Sequence, residues 1–417
     1  MTDRRLLRLC AAAFLADMAL YLVMTGAPYK ALALGVGPLL LGFVPVARAL
    51  PYSLTTVWAG ARTEGPERLR LARGSLLAAA AAAALLVVAP GIGALFALLA
   101  VIGFSLAFFW PAVQATLADA AARGRVTGDL GWFNIAWSTG KAVGFAVGGF
   151  LLAGFGFTAL FATAAAALLG VAALVAFLRP ARPPAGRPSG DRTTLDSLPG
   201  RSPTADDSMS FPALPDPAPA SGPHPAARSF RLAAWLGNTM AFGIGAVLNT
   251  HYPDWLRTLG RGEALFGSYL GLIFASQTVT FLLLARFPGW HYRRLPVLSA
   301  QIPMIGVALL LPRLTQPAAI LATAPAVGFG LGLAYFASLY YSVDAPVARG
   351  RNAGVHEALL GVGSMVLPVG GGWAAAAFGR LDAPYLFAAG AGIVTLALQA
   401  GLLARALPGT GGAPEGY

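Results

Sequence analysis

Apolar residues run through this chain in long blocks, and polar residues are pushed into the gaps between them. A hydrocarbon core of about 30 Å takes about 20 helical residues to cross. Twelve runs reach or approach that length, near residues 6–27, 37–59, 74–89, 93–118, 129–152, 157–178, 230–252, 264–286, 295–312, 318–342, 354–377 and 383–405. The third is short and alanine-rich, and the ninth is interrupted by Pro303. The pattern predicts an all-α polytopic membrane protein with twelve transmembrane helices.

The runs form two sets of six. Residues 179–229 stand between the sets, with twelve prolines, many Ser, Asp and Arg, and almost no aromatic side chains. Such a segment buries too little apolar area to offset its ordering entropy. The expected organisation is a six-helix bundle at 1–178, a disordered cytoplasmic linker at 179–229, a second six-helix bundle at 230–407 and a short cytoplasmic tail at 408–417.

The two sets repeat each other. Gly131, Gly140, Gly144 and Gly148-Gly149 recur, at the same offsets and about 223 residues later, as Gly354, Gly363, Leu367-Pro368 and Gly371-Gly372. Upstream, Leu106-Ala107-Phe108-Phe109 answers Leu333-Ala334-Tyr335-Phe336, and Ala122-Arg123-Gly124-Arg125 answers Ala348-Arg349-Gly350-Arg351. A repeat of half the chain in an apolar sequence points to pseudo-symmetric bundles with a site between them, the construction of many carriers. Glycines four apart, such as Gly140 and Gly144, also make a groove on a helix that another backbone can enter.

Composition agrees. The chain is 57% hydrophobic and 11% charged, against roughly 25% charged in a soluble domain. A net charge of +12 would suggest nucleic acid if it were clustered on a soluble face, but the arginines lie in the gaps between apolar runs. Of the 29 Lys and Arg, Arg48 and Lys141 lie deep inside runs. Lys30, Arg257, Arg261, Arg313 and Arg380 fall on one side, and the other 22 on the side of the termini and linker. The positive-inside rule puts both termini in the cytoplasm, in an inner or plasma membrane. Arg4, Arg5 and Arg8 before an apolar run imitate a secretory signal, but Asp17 interrupts that run and no good small-residue cleavage site follows, so it is taken as the first spanning helix. The single Cys10 allows no internal disulfide.

Two six-helix halves, a long central cytoplasmic loop and both ends inside resemble the major facilitator superfamily. The glycine repeat resembles that family's fifth-helix motif, best known in its antiporter branches, which export drugs and other solutes. The first copy has Phe145 where the motif has proline, and the second has Leu367 where it has glycine. Gly60-Ala61-Arg62-Thr63-Glu64-Gly65-Pro66-Glu67-Arg68 is a degenerate match to the family's signature between helices two and three. The resemblance covers nearly all of the chain outside the linker. It implies a transporter fold and favours export over import, without naming a solute.

A charge at mid-bilayer costs roughly 2.5–3.5 kcal/mol on insertion scales, so it is paired or lines a cavity. Asp17, Arg48 and Lys141 lie about halfway along helices one, two and five. Asp17 and Arg48 are either a structural ion pair or a protonatable group with its modulator, since burial raises a carboxylate's pKa and a nearby arginine lowers it. Asn134 lies about 20° around the helix from Lys141, and Trp137 about 60° from Asn134. That stripe is read as cavity-lining, with Lys141 facing an anionic or carbonyl-bearing solute or balancing Asp17; pairing with a helix-end carbonyl is the other reading. Ser138-Thr139-Gly140-Lys141 hints at a phosphate loop, but Ile135 replaces its first glycine and Ala142 its hydroxyl residue.

In the second half Asn238, Asn249, Gln277, Gln301, Tyr335, Tyr340 and Tyr341 supply hydrogen-bonding groups. Trp110 and Gln114, four apart on one helix face, mirror Tyr335 and its neighbours. Trp110, Trp137 and Tyr335 are expected as aromatic walls, and Asn238 and Gln277 as polar contacts. His356-Glu357 is placed at the opening of helix eleven, where a carboxylate favours the helix dipole and would form a gate salt bridge with Arg349 or Arg351; a proton relay at His356 is the alternative. Asp119 and Asp344 are expected to pair with the Arg123-Gly124-Arg125 and Arg349-Gly350-Arg351 turns and close an inner gate.

Nothing in the chain signals an enzyme: there is no His-Glu-x-x-His, no Gly-x-Ser-x-Gly and no cysteine cluster. No metal, cofactor or nucleic acid is expected. The expected function is a monomeric secondary transporter of a small organic solute, coupled to protons. An uptake permease or uniporter, and a non-transporting sensor or scaffold on a transporter fold, are the alternatives.

Overall fold

The computed structural model describes residues 3–62, 67–120, 126–178, 226–287, 289–344 and 349–406, with backbone alone at 3, 57–58, 60–62, 118–120, 126–130, 349–350, 353 and 406. Among these residues every regular element is a helix. The first six crossings are α1 (Asp3–Ala33), α2 (Val44–Arg62, preceded by the one-turn helix Pro38–Gly42), α3 (Arg68–Leu85), α4 (Ile92–Ala120), and α5 and α6, the two limbs of Val126–Ala176. Those limbs read as one helix until Gly156, where φ is 74° and ψ −171°. Only glycine holds that conformation without strain, so the chain turns there. The second six are α7 (Ala227–Thr258), α8 (Glu263–Arg286), α9 (Arg294–Ser299 and Gln301–Leu310), α10 (Pro317–Val343), α11 (Arg349–Phe378) and α12 (Ala383–Ala406). Twelve crossings put the start of α1 and the end of α12 on one side, here the terminal face.

The boundaries differ from the apolar pattern in instructive ways. α1 continues past Pro28 to Ala33, because an interior proline frees a single carbonyl when neighbouring helices hold the strand of backbone in place. α3 begins at Arg68 rather than near 74 and ends in a 3-10 turn at Leu86–Val88. The break in the ninth run falls at Ala300, not at Pro303. Pro303 is the third residue of the following limb, a first-turn position where its missing N–H is not needed.

Close helix pairs sew each half, among them α2 with α4 at Gly103 and α8 with α10 at Gly328, and one pair in each half carries the repeated glycines. α5 lies along α1, where a methyl added at Gly140 would stand 2.1 Å from the Phe14 carbonyl oxygen, and one at Gly144 2.5 Å from that of Met18. α11 lies along α7, where a methyl at Gly363 would stand 1.9 Å from the Thr239 carbonyl oxygen. Glycine is therefore obligatory at these crossings. Without a hydrophobic driving force between helices in lipid, such backbone contact supplies the van der Waals attraction.

The halves meet at two further glycine seams. Gly149 on α5 faces Gly267 on α8, where an added methyl would be 2.7 Å from the Gly267 Cα. Gly42 and Gly372 join the Pro38–Gly42 turn to α11, with methyl positions 2.5 Å from the Pro368 oxygen and 2.4 Å from the Pro38 oxygen. Both seams lie near the face opposite the termini. Tyr29 at the end of α1 also meets Phe266 at the start of α8, ring centroids 5.4 Å apart. Nearer the terminal face, among the described residues, Trp137 meets Phe281 (6.5 Å) and Tyr335 (6.3 Å), Ser138 meets Thr278, and Gly361 faces Ser53 (3.1 Å from an added methyl).

Candidate substrate site

Asp17 and Lys141 sit at the centre of this arrangement, each 6% exposed; neither points into lipid. Backbone contact at Gly140 and Gly144 draws α5 onto α1, which carries Lys141 toward Tyr21, one turn beyond Asp17. The Lys141 ammonium stands 3.9 Å from the centroid of Phe274, 4.5 Å from Tyr21 and 5.7 Å from Phe242. Tyr21 belongs to the first half, Phe242 (α7) and Phe274 (α8) to the second. A cation over ring faces gains about 2 kcal/mol or more when desolvated. Asp17 and Arg48 lie within Coulombic reach of Lys141, but no hydrogen bond or ion pair holds its ammonium among the described residues. The helix-end carbonyl considered for it is thus replaced by rings.

Arg48, on α2, is half-buried, and its Nε has no hydrogen-bond partner. It acts electrostatically on Asp17 and Lys141, yet no direct Asp17–Arg48 ion pair forms among the described residues. Asn134 and Trp137 satisfy each other, the Trp137 indole N–H donating to Asn134 Oδ1 at 2.9 Å. Ser138 hydrogen-bonds Thr278 across the halves. Trp137 also approaches Tyr335, 6.3 Å between centroids, and Tyr335 in turn meets Phe281 (5.3 Å), Phe242 (6.0 Å) and His356 (4.9 Å).

The second half answers with polar groups in place of a charge trio. His356 is fully buried, and its Nδ1 accepts from Asn238 at 3.4 Å and contacts Ser338 Oγ at 2.8 Å. An amide nitrogen can only donate, so the ring proton belongs on Nε2. That atom has no hydrogen-bond partner and lies 3.9 Å from Glu357 Oε1. Gln301 and Gln399 donate to the α7 carbonyls of Gly237 (2.9 Å) and Ala233 (2.8 Å), one turn apart. These two glutamines are helix glue.

A family model for the Major Facilitator Superfamily matches residues 9–347. The chain belongs to the major facilitator superfamily. Among solved structures, an inward-facing, unoccupied bacterial homologue of the human lysosomal transporter Spinster superposes with a TM-score of 0.70 at 15% identity, covering 97% of each chain. The same homologue in an inward-facing, occupied conformation gives 0.67 at 15% identity over 96% of each chain. A point mutant of the nucleoside transporter NupG gives 0.72 at 12% identity, covering 95% of this chain and 99% of that one. At these identities the likeness is one of fold. No curated protein matches the chain at a significant level. As a member of this superfamily it is a multi-pass membrane solute transporter.

The other expected residues scatter. Trp110 packs on Phe109 and Phe133 (5.1 and 6.2 Å) rather than on Trp137 or Tyr335, and Gln114 is exposed. Gln277 is 1% exposed with neither amide atom bonded, and the Asn249 Oδ1 is likewise buried without a partner. Pro368 has its carbonyl bonded by His251 Nε2–H at 2.8 Å. Of the glycines, Gly148 packs on Thr25 and Gly371 on Pro384, while Gly354 has nothing within 4 Å of an added methyl; Gly131 opens the described side chains of α5.

The gate expectations change most. α11 begins at Arg349, so His356-Glu357 sits two turns inside the helix and the capping role is lost. Glu357 faces His356 and makes no ion pair with Arg351, which is exposed. Asp344 accepts the Tyr292 hydroxyl, and Tyr292 in turn offers its backbone N–H to Tyr341 Oη at 2.9 Å. The α8–α9 loop thus supplies a partner of Asp344, while the side chain of Arg349 in the expected Arg-Gly-Arg turn lies outside the described residues. Burial of His291 against Tyr340, 4.0 Å apart and stacked, lowers that histidine's pKa. The side chains of Asp119 and Arg349, Arg123, Arg125, the linker through 225 and the 408–417 tail lie outside the described residues.

Three residues escaped the sequence pattern. Tyr21 follows Asp17, and Tyr52 follows Arg48, at a four-residue spacing that shares a helix face; that signal was available. Phe274 gave none, because an aromatic residue in an apolar run is indistinguishable from packing.

Proposed function

We propose that this chain is a secondary carrier of the cell membrane that exports a small organic solute by alternating access, coupled to protons through Asp17. The observation that supports this best is the Lys141 cage, whose rings come from both halves. With Asp17 protonated, Lys141 has little to attract it away from Phe242 and Phe274, and the cage bridges the bundles. With Asp17 ionised, the ammonium is drawn back toward its own half and the bridge weakens. One proton thereby biases a rocking equilibrium, which is what coupling requires.

The seams at Gly149, Gly42 and Gly372 hold the two halves together near the face away from the termini. The distribution of basic residues argues that the terminal face is cytoplasmic. Two of the similar structures, of one homologue, are described as inward-facing, which fits that polarity. Export rests on the likeness of the fifth helix to antiporters. The protein would act as a monomer, its halves joined by the 179–229 segment.

The test is flux in proteoliposomes of wild type and Asp17→Asn. The variant should lose gradient-driven flux while keeping part of its counterflow exchange. Unchanged driven flux in the variant, or driven flux that follows sodium and ignores pH, would overturn proton coupling at this residue. Specific ligand binding with no flux under any gradient would favour a sensor.

A further inference from the structure

Glu357 is left unexplained by the Asp17 site. It lies two turns inside α11, yet its side chain is 65% exposed. The exposure is not toward lipid. Gly361, one turn on and on the same face, meets Ser53 of α2 across the gap between halves. Tyr52 of α2 and Tyr335 of α10 both lie within Coulombic reach of the carboxylate. Glu357 therefore lies on the face of α11 that is turned toward α2 of the other half.

No lysine or arginine lies within ion-pair distance of it among the described residues. Of the deep cations, Lys141 stands over its rings, and both Lys141 and Arg48 act electrostatically on Asp17. Beside the carboxylate stands a fully buried histidine whose Nε2 lies 3.9 Å from it and has no hydrogen-bond partner. Asn238 and Ser338 hold that ring from behind. Tyr335 packs on that histidine at 4.9 Å and carries Phe281 (5.3 Å) and Trp137 (6.3 Å) beyond it, while Tyr52 approaches from α2. An unpaired carboxylate within membrane depth is costly, and aromatic faces add attraction for a positive charge.

Building on the carrier reading above, we infer that Glu357 and these rings bind the positive end of the transported solute, so the substrate class is an organic cation with an aromatic or other apolar body. The carboxylate supplies the counter-charge, the rings receive the body, and His356 Nε2–H is a positioning donor that orients the carboxylate. An anion of the same shape is refused by Glu357.

Two ions of matched shape and opposite charge make the test: tetraphenylphosphonium and tetraphenylborate, titrated onto the full-length protein in nanodiscs without any gradient. Wild type should bind the phosphonium saturably and show no saturable site for the borate. Glu357→Gln should weaken the phosphonium at least about thirtyfold, the range expected when one partner of a desolvated charge pair is removed. Glu357→Asp should recover part of the loss. His356→Leu should weaken binding, and His356→Gln, which keeps an N–H donor, should restore it. In wild type, mass spectrometry should find a carbodiimide adduct at Glu357 that the phosphonium suppresses, a measurement that survives misfolding of any variant. Saturable binding of the borate, phosphonium binding that Glu357→Gln leaves intact, no saturable binding of the phosphonium, or an adduct the phosphonium does not suppress would overturn the assignment. Binding needs no gradient, so a failure of Asp17 coupling leaves this result standing, and the reverse also holds.

Discussion

The two halves are built on one template and solve it differently at a single pair of positions. In the first half the small residue is on α5: Gly144 receives Met18 and Tyr21 of α1. In the second half the equivalent residue is Leu367, and the glycine has moved to the partner helix, where a methyl on Gly243 would stand 2.7 Å from Leu367 Cδ2. The crossing is preserved because only the sum of the two side chains matters to the distance between the axes. One residue on, Phe145 stacks on Phe274 at 5.2 Å and 9°, while Pro368 offers its carbonyl to His251. The first half spends this position on the Lys141 cage and the second on a helix–helix hydrogen bond. Duplication has kept the scaffold and divided the chemistry.

That contrast can be broken hardest at the shared scaffold. Gly140→Leu and Gly363→Leu should each abolish the folded, monodisperse protein on size-exclusion chromatography, whereas Gly170→Ala and Gly401→Ala, which have nothing within 4 Å, should leave it unchanged. Next in size is Lys141→Met, which should remove gradient-driven flux in proteoliposomes while the protein still folds, because a methionine keeps the stem and loses the cation. The reciprocal packing comes third: Leu367→Ala should destabilise by about 2 kcal/mol, Gly243→Ala should destabilise by overpacking, and the double variant should recover part of both losses in thermal unfolding. Phe145→Leu should cost about 1 kcal/mol through the lost stack with Phe274, and Pro368→Phe should not reproduce the stack in the other half.

The smallest effect lies outside the membrane. Arg380 bonds Asp382 at 2.6 and 2.9 Å and holds its carboxyl below the usual carboxylate range. Such a group stabilises the fold above its unfolded pKa, and the gain disappears as pH falls through its folded one. Wild type and Asp382→Asn should therefore differ slightly in melting temperature at neutral pH and converge in strong acid. The pair is largely exposed, so the difference is small.

Much of the architecture was legible because lipid leaves the backbone so little choice. All twelve apolar runs correspond to crossings, and the alignment of Gly140 with Gly363 marks two crossings that are alike in space. The site was legible only in part. Asp17 and Lys141 drew notice as charges in apolar runs, and they are buried between helices. His356 and Glu357 also drew notice but were placed at a helix opening, since nothing in the apolar pattern showed that α11 starts at Arg349. Phe108 and Tyr335 are equivalent in the repeat, yet Tyr335 joins the central rings while Phe108 packs on Phe104, because equivalent positions in the two halves meet different neighbours.

What the order of residues determined by itself is the number of crossings, the duplication and the helix pairs that approach most closely. Each follows from local costs: an unpaired peptide group in hydrocarbon, and a side chain where only a hydrogen fits. Which side chains face one another across the two halves was settled only when twelve helices had packed. The Lys141 cage draws on positions 21, 141, 242 and 274, and the surroundings of Glu357 on 52, 335 and 356. Those neighbours depend on where the helix axes cross, a property of the whole bundle that no stretch of the chain carries alone.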